Sequence, residues 1–312
     1  MRLVFWGTPA TAVPFLEYLC AHEDVAGVVT QTDKPSMRGQ EVHKTPVKIL
    51  AEEKKLTVLQ PSKLKDPEFL SKLAELKPEA GIVIAYGRII PVEAINIFPK
   101  GLYNIHFSLL PHLKGAAPMQ WAIVRGDKET GVTSFRIEES LDSGNILVKK
   151  PLSISGSDDA VSLEKKMISL GLDVLKETLE HIKGRDPTGI PQKGEETYAP
   201  IIKKSDAKID WERSAEEIER MVRGFIQTGV FCITPVGKHL KVTRSENVLE
   251  IQPDKEILPS GTLCKIEKGR GFLIRCKKGY LRVLRVQMEG KKETDAWSFL
   301  QGARLKVGDR FE

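Results

Sequence analysis

The chain has 312 residues, 41% of them hydrophobic and 29% charged, a globular balance far from fibrous or low-complexity sequence. Its longest apolar runs, such as residues 81–86, fall well short of the ~20 residues that span a bilayer, and residues 3–6 are too short for a signal-peptide core. The expectation is therefore a cytoplasmic protein without membrane contact. The net charge of +6 is uneven: residues 1–204 hold 27 basic and 26 acidic side chains, whereas residues 238–292 alone hold 14 and 6. Such an excess on one part of a chain favours polyanionic partners such as nucleic acid.

Residues 3–6 predict a buried strand, with Gly7-Thr8-Pro9 as the turn after it and a helix over 12–20. A strand over 25–30, a helix over 46–54 and a short strand over 57–59 follow. Asp66-Pro67 opens the next helix, Asp as N-cap and Pro at the first helical position. Residues 81–86 and 103–107 read as strands, 116–124 as a helix, and 132–137 and 146–154 as strands. Residues 158–183 form one long amphipathic helix. This rhythm predicts a doubly wound, mostly parallel Rossmann-like α/β sheet over residues 1–189. Residues 190–209, rich in Gly, Pro and charge, read as a linker. From 210 to 312 the pattern changes. A helix over 214–225, opened by a Ser214/Glu217 capping box, precedes five short strands, the signature of a small β-barrel of oligonucleotide-binding type.

The four cysteines, Cys20, Cys232, Cys264 and Cys276, are isolated, with no CxxC pair. They predict reduced thiols and no metal site. The chemistry concentrates instead in Asn104-Ile105-His106 and the following Ser108-Leu109-Leu110-Pro111. Residues two apart in a strand share a face, so Asn104 and His106 point together at a strand end, where an open α/β sheet offers its crevice. The loop after them exposes backbone groups suited to a planar ligand. Asp142, in Leu141-Asp142-Ser143-Gly144, is by default a turn residue. Brought over the same crevice, it orients His106 and raises its basicity. Amide, imidazole and carboxylate together suit acyl transfer to an amine.

These segments, with Gly115-Ala116-Ala117-Pro118, resemble the formyltransferase superfamily, which moves a one-carbon unit from 10-formyltetrahydrofolate. Three further segments resemble the branch that acts on initiator methionyl-tRNA. They are Phe5-Trp6-Gly7-Thr8-Pro9, the run from Thr30 to Pro35 with Arg38-Gly39, and Thr197-Tyr198-Ala199-Pro200 with Ile209-Asp210-Trp211. The resemblance implies that Asn104 and His106 polarise the formyl oxygen, while Asp142 positions His106 and helps take the amine proton. It implies folate contacts from Ser108, Leu109, Leu110 and Pro111, with Ala85, Tyr86 and Gly87 at the neighbouring strand end. It also implies tRNA contacts from Arg38 and Lys34; with no metal-ligand cluster in the sequence no metal is expected, and the expected state is a monomer. The chain departs from the family pattern at Lys114, usually Arg, at Gln40-Glu41, usually more basic, and at residues 225–229, usually Asn-Pro-x-Pro-Gly.

Three other readings stand beside this one. A formyltransferase for a sugar nucleotide or purine precursor, or a formyltetrahydrofolate hydrolase, has no use for the basic second half. A non-enzymatic RNA-binding protein predicts RNA affinity without formyl transfer. A dehydrogenase needs a Gly-x-Gly-x-x-Gly turn that Gly7-Thr8-Pro9-Ala10-Thr11-Ala12 lacks. Steep loss of affinity with added salt separates a polyanionic substrate from a small one.

Overall fold

Alternating apolar runs and helices in the first half build a seven-stranded sheet. The structure, a computed structural model, describes residues 1–35, 42–184, 187–250 and 258–312. From edge to edge the strands are Ile146–Ser153, Glu129–Arg136, Leu102–His106, Ala80–Ile84, Arg2–Gly7, Asp24–Val29 and Thr57–Leu59. The last five of these run parallel, and the first two add an antiparallel hairpin. The winding reverses between Arg2–Gly7 and Ala80–Ile84, whose paired ends Gly7 and Ile84 flank the place where such sheets take their ligands.

Local signals set the helix starts. The Thr45 hydroxyl accepts from Lys48 N ahead of helix Pro46–Glu53, and Asp66 accepts from Glu68 N ahead of Pro67–Glu75. Under the strand ends Trp6 is fully buried, with Phe69, Tyr86 and Phe98 edge-on at 6.1, 5.2 and 6.4 Å. These offset aromatic contacts are worth more than their buried area alone. Burial pushes the Tyr86 hydroxyl up to about 12, so this ring serves as packing under the crevice.

The chain divides into two units. One comprises Met1–Pro118, Glu129–Ser153 and Glu164–Pro200; the other Met119–Lys128, Ile154–Leu163 and Ile201–Glu312. Residues 190–200, read from the sequence as part of a linker, are built into the first unit. Tyr198–Ala199 pairs in parallel with Lys114–Gly115, and Ile190 bridges Ile146. Gly and Pro there mark an extended strap with its own partners, not free chain.

In the second unit the Ser214 capping box forms as the sequence predicts, opening helix Ala215–Gly224. Phe225 meets Trp121 edge-on at 5.2 Å, and Arg223 donates to the Asp158 carbonyl. All five expected strands appear, in the antiparallel order Val230–Ile233, His239–Val248, Tyr280–Met288, Gly271–Arg275, Leu263–Glu267. Residues 309–312 close this sheet. Ile233 and Glu312 exchange backbone bonds at 2.6 and 2.9 Å on one edge, and Asp309 and Phe311 reach Leu263 and Gly261 on the other. Helix Ala296–Ala303 was not foreseen, although Asp295 caps it by accepting from Ser298 N. Among the described residues no helix is long and apolar enough to cross a membrane.

Phe311 is 1% exposed and stacks on Phe272 at 5.9 Å, so it holds the closing segment to the barrel core. Phe311→Ala is expected to lower the unfolding free energy by about 3–5 kcal/mol in denaturant titration.

Candidate active site

His106 ends strand Leu102–His106, and Asn104 shares its face one pleat earlier. Val83 pairs with Asn104, so the turn at Ala85 begins at the level of His106. The imidazole is 6% exposed, with Phe135 edge-on at 6.4 Å; the Asn104 side chain is half-buried. His106 Nε2 lies 3.0 Å from the Leu113 carbonyl oxygen. A carbonyl only accepts, so Nε2 carries a hydrogen whether the ring is neutral or charged. Nδ1 is left facing Asp142, whose Oδ2 is 3.9 Å away. That gap is too long for a hydrogen bond, so Nδ1 faces the carboxylate without being tied to it.

Asp142 reaches this point from the loop between the two hairpin strands, and sequence distance gave no guarantee of the meeting. Its Oδ2 accepts from Gly115 N at 2.8 Å, and its own carbonyl accepts from Gln192 Nε2 at 2.8 Å. The same Gln192 nitrogen donates to the Gly144 carbonyl at 3.0 Å, so one amide fixes both sides of the bend. Three non-glycine residues at this site have positive φ: Ala85 at 48°, Leu113 at 59° and Asp142 at 46°. Backbone held in that region costs about 1–3 kcal/mol per residue and persists only where surrounding bonds over-determine it.

The bracing is visible in the 108–113 loop, whose Leu110–Pro111 bond is cis. Ser108 Oγ donates to the His112 carbonyl, and Thr133 Oγ1 donates to the Ser108 carbonyl. Leu110 N donates to Thr133 Oγ1, and Lys149 Nζ donates to the Leu110 carbonyl. Thr197 N donates to the Pro111 carbonyl. The expectation that this loop offers free backbone to a planar ligand therefore needs correction. Those groups are engaged within the protein, and Ser108 and Leu110 are fully buried, while Leu109 stays half-exposed. At the neighbouring strand end Ala85 and Gly87 are exposed. The Tyr86 carbonyl between them accepts from Thr8 Oγ1 at 3.1 Å and Gln31 Nε2 at 2.7 Å. The three parallel strand ends are thus tied at the turn.

Lys34 lies in the two-residue strand Lys34–Pro35, paired with Val42–His43, and the placement of its side chain is outside the described residues; so is Arg38 altogether. At the base of that segment Asp33 accepts from Lys48 and from Gln60 Nε2, which also donates to the Gln31 carbonyl. Lys114, the departure from the usual Arg, is buried and pairs with Glu196 at 2.6 Å, holding that carboxyl below its usual range. Burial pushes the Cys232 and Cys276 thiols up to about 12, which removes them as nucleophiles. Among the described residues no group of three or more His, Cys, Asp or Glu side chains is arranged to hold a metal ion.

Comparison with known proteins meets this geometry from outside. Residues 3–179 match the family described as formyl transferase, and residues 201–304 its C-terminal domain. The chain belongs to the formyl transferase family. A methionyl-tRNA formyltransferase of Synechococcus sp. is 39% identical, the match covering all of this chain and 98% of the relative. Another, of Caldanaerobacter subterraneus subsp. tengcongensis, is 41% identical over 99% of each. The same fold occurs in an N-formyltransferase of Helicobacter canadensis crystallised with folinic acid and dTDP-3-aminofucose. That structure has TM-score 0.66 and 22% identity, covering 92% of this chain and 99% of that one. HypX of Aquifex aeolicus with tetrahydrofolic acid gives TM-score 0.64 at 18% identity, covering 98% of this chain and 48% of that one.

Of the three residues the sequence singles out, Asn104 and His106 share a strand face and Asp142 comes within 3.9 Å of His106; the groups that hold His106 and Asp142, the Leu113 carbonyl, the Gly115 amide and Gln192, carry no such signal. Gly115 adopts φ +109°. A Cβ there would meet the Ala199 carbonyl oxygen at 2.9 Å. Gly115→Ala is accordingly expected to cost about 1–3 kcal/mol of stability, read as a lowered thermal midpoint.

Proposed function

We propose that the chain transfers a formyl group from 10-formyltetrahydrofolate to the α-amino group of methionyl-initiator tRNA, giving N-formylmethionyl-tRNA for translation initiation. The observation that carries this reading is the meeting of His106 with Asp142 beside Asn104 at one strand end. It occurs in a chain whose relatives match along its whole length and bear the methionyl-tRNA formyltransferase name.

A free α-amino group has a pKa near ~7.7–8.0, so a useful fraction is neutral at cell pH and little activation is needed. Its nitrogen attacks the formyl carbon, forming the new C–N bond as the carbonyl oxygen takes up charge. The Asn104 carboxamide and a protonated His106 Nδ1 stabilise that oxyanion. Nδ1 is the ring atom free for this, because Nε2 is committed to Leu113 while Asp142 stands off at 3.9 Å. Asp142 helps remove the proton from the attacking nitrogen. Collapse breaks the bond from the formyl carbon to N10 of the folate, and N10 leaves with a proton.

The exposed Ala85 and Gly87 and the half-exposed Leu109 contact the folate, while Tyr86, Ser108, Leu110 and Pro111 shape the wall behind it. In this reading residues 1–189 carry the transfer chemistry and residues 210–312 contact RNA in the cytoplasm, with Arg38 and Lys34 assisting at the acceptor end. The second unit has features suited to a polyanion. A hollow of about 500 Å³ is lined by Lys204, Lys241, His239 and Phe231, with Lys204 Nζ 5.8 Å from the Phe231 ring centroid. Some of the basic excess is spent internally, since Arg282 pairs with Glu246 and Glu267.

Formylation of charged initiator tRNA with the purified protein and donor tests the reading. His106→Ala and Asp142→Asn are expected to lower turnover by at least ~10²-fold with cooperative unfolding retained. Unmodified methionine with the wild-type protein contradicts it.

A further inference from the structure

The Thr197-Tyr198-Ala199-Pro200 motif has no part in the chemistry above, yet it leads directly to the reacting imidazole. Thr197 touches the peptide groups on both sides of Leu113. Its Oγ1 accepts from Leu113 N at 2.8 Å, and its carbonyl accepts from Lys114 N at 2.8 Å. Leu113 is fully buried and sits at φ 59°, a conformation that a leucine does not hold unaided. The carbonyl of this same residue accepts from His106 Nε2. A hydroxyl some ninety residues along the chain from His106 thus fixes the peptide that decides which way the ring faces.

We propose that Thr197 is a positioning residue for His106, acting through Leu113. The proposal rests on the reading of His106 as a reacting group. The rest of the strap has separate anchors. Ala199 O accepts from Ala116 N and Ala117 N at 2.9 and 3.2 Å, and Glu196 pairs with Lys114. Loss of the Thr197 hydroxyl therefore leaves the strap seated while removing the acceptor of Leu113 N–H. His112 Nδ1, 2.7 Å from Thr197 Oγ1, loses the same neighbour. Leu113 is then free to relax from its positive φ, and the carbonyl holding His106 turns with it. Nδ1 moves off the line on which the formyl oxygen must meet it, a displacement felt in the transition state more than in binding.

The test is formyl transfer kinetics of Thr197→Val, which keeps the branched shape, and Thr197→Ser, which keeps the hydroxyl, with His106→Ala as reference. The expected result is a kcat for Thr197→Val lowered roughly 10- to 100-fold. KM for both the folate and the tRNA should stay within about twofold, and Thr197→Ser should recover kcat to within about threefold. Wild-type kcat in Thr197→Val, beside an inactive His106→Ala, overturns the positioning role. So does a change confined to KM, or a Thr197→Ser variant no better than Thr197→Val. Near-normal turnover in His106→Ala removes instead the reading beneath it, and the two failures are told apart by that one variant.

Discussion

A histidine in a buried site is useful only if one nitrogen is held and the other is left to react. Here the Leu113 carbonyl holds Nε2, and the remaining features of the site follow from that bond. It sets the ring plane and fixes the hydrogen on Nε2. It also turns Nδ1 toward Asp142, where the proposed reaction places the formyl oxygen. Without it the ring would be free to turn Nε2 toward the carboxylate, and the two nitrogens would lose their distinct roles.

Holding that bond requires strained backbone, and the strain explains the density of bracing around it. Leu113, Asp142 and Ala85 all adopt positive φ without being glycine. Each is pinned by neighbours from distant parts of the chain: Leu113 by Thr197, Asp142 by Gly115 and Gln192, the Ala85 turn by Thr8 and Gln31. In the proposed transfer, preorganised groups of this kind are effective because they need not reorganise as charge develops on the formyl oxygen. Gly144 marks how tight the arrangement is, since a Cβ there would fall 1.7 Å from the Arg136 carbonyl oxygen.

The sheet was legible in the sequence because its signals are local. Buried strands such as Ala80–Ile84 are continuous apolar runs, and helix starts at Pro67 and Ala215 carry their caps with them. Asn104 and His106 were legible for the same reason, two polar residues on one face of an apolar strand. The groups that hold His106 and Asp142 were not. A backbone carbonyl at Leu113 has no residue-type signature, and the pairing of Tyr198–Ala199 with Lys114–Gly115 is a contact over more than eighty residues that no periodicity announces. Gly and Pro in residues 190–209 carry the same composition whether they make a free linker or a strap. Barrel closure by residues 309–312 is equally silent in the sequence, since that short segment has no strand pattern of its own and bonds to the edge strands through its backbone. Arg38 lies outside the described residues, so its part stays with the family resemblance.

The ring itself reports on the central claim most directly. Nitrogen-15 NMR of protein labelled at histidine distinguishes protonated from unprotonated ring nitrogens. The account predicts that the neutral His106 ring carries its hydrogen on Nε2, leaving Nδ1 bare toward Asp142. A neutral His106 carrying its hydrogen on Nδ1, with Nε2 bare toward the Leu113 carbonyl, would contradict it.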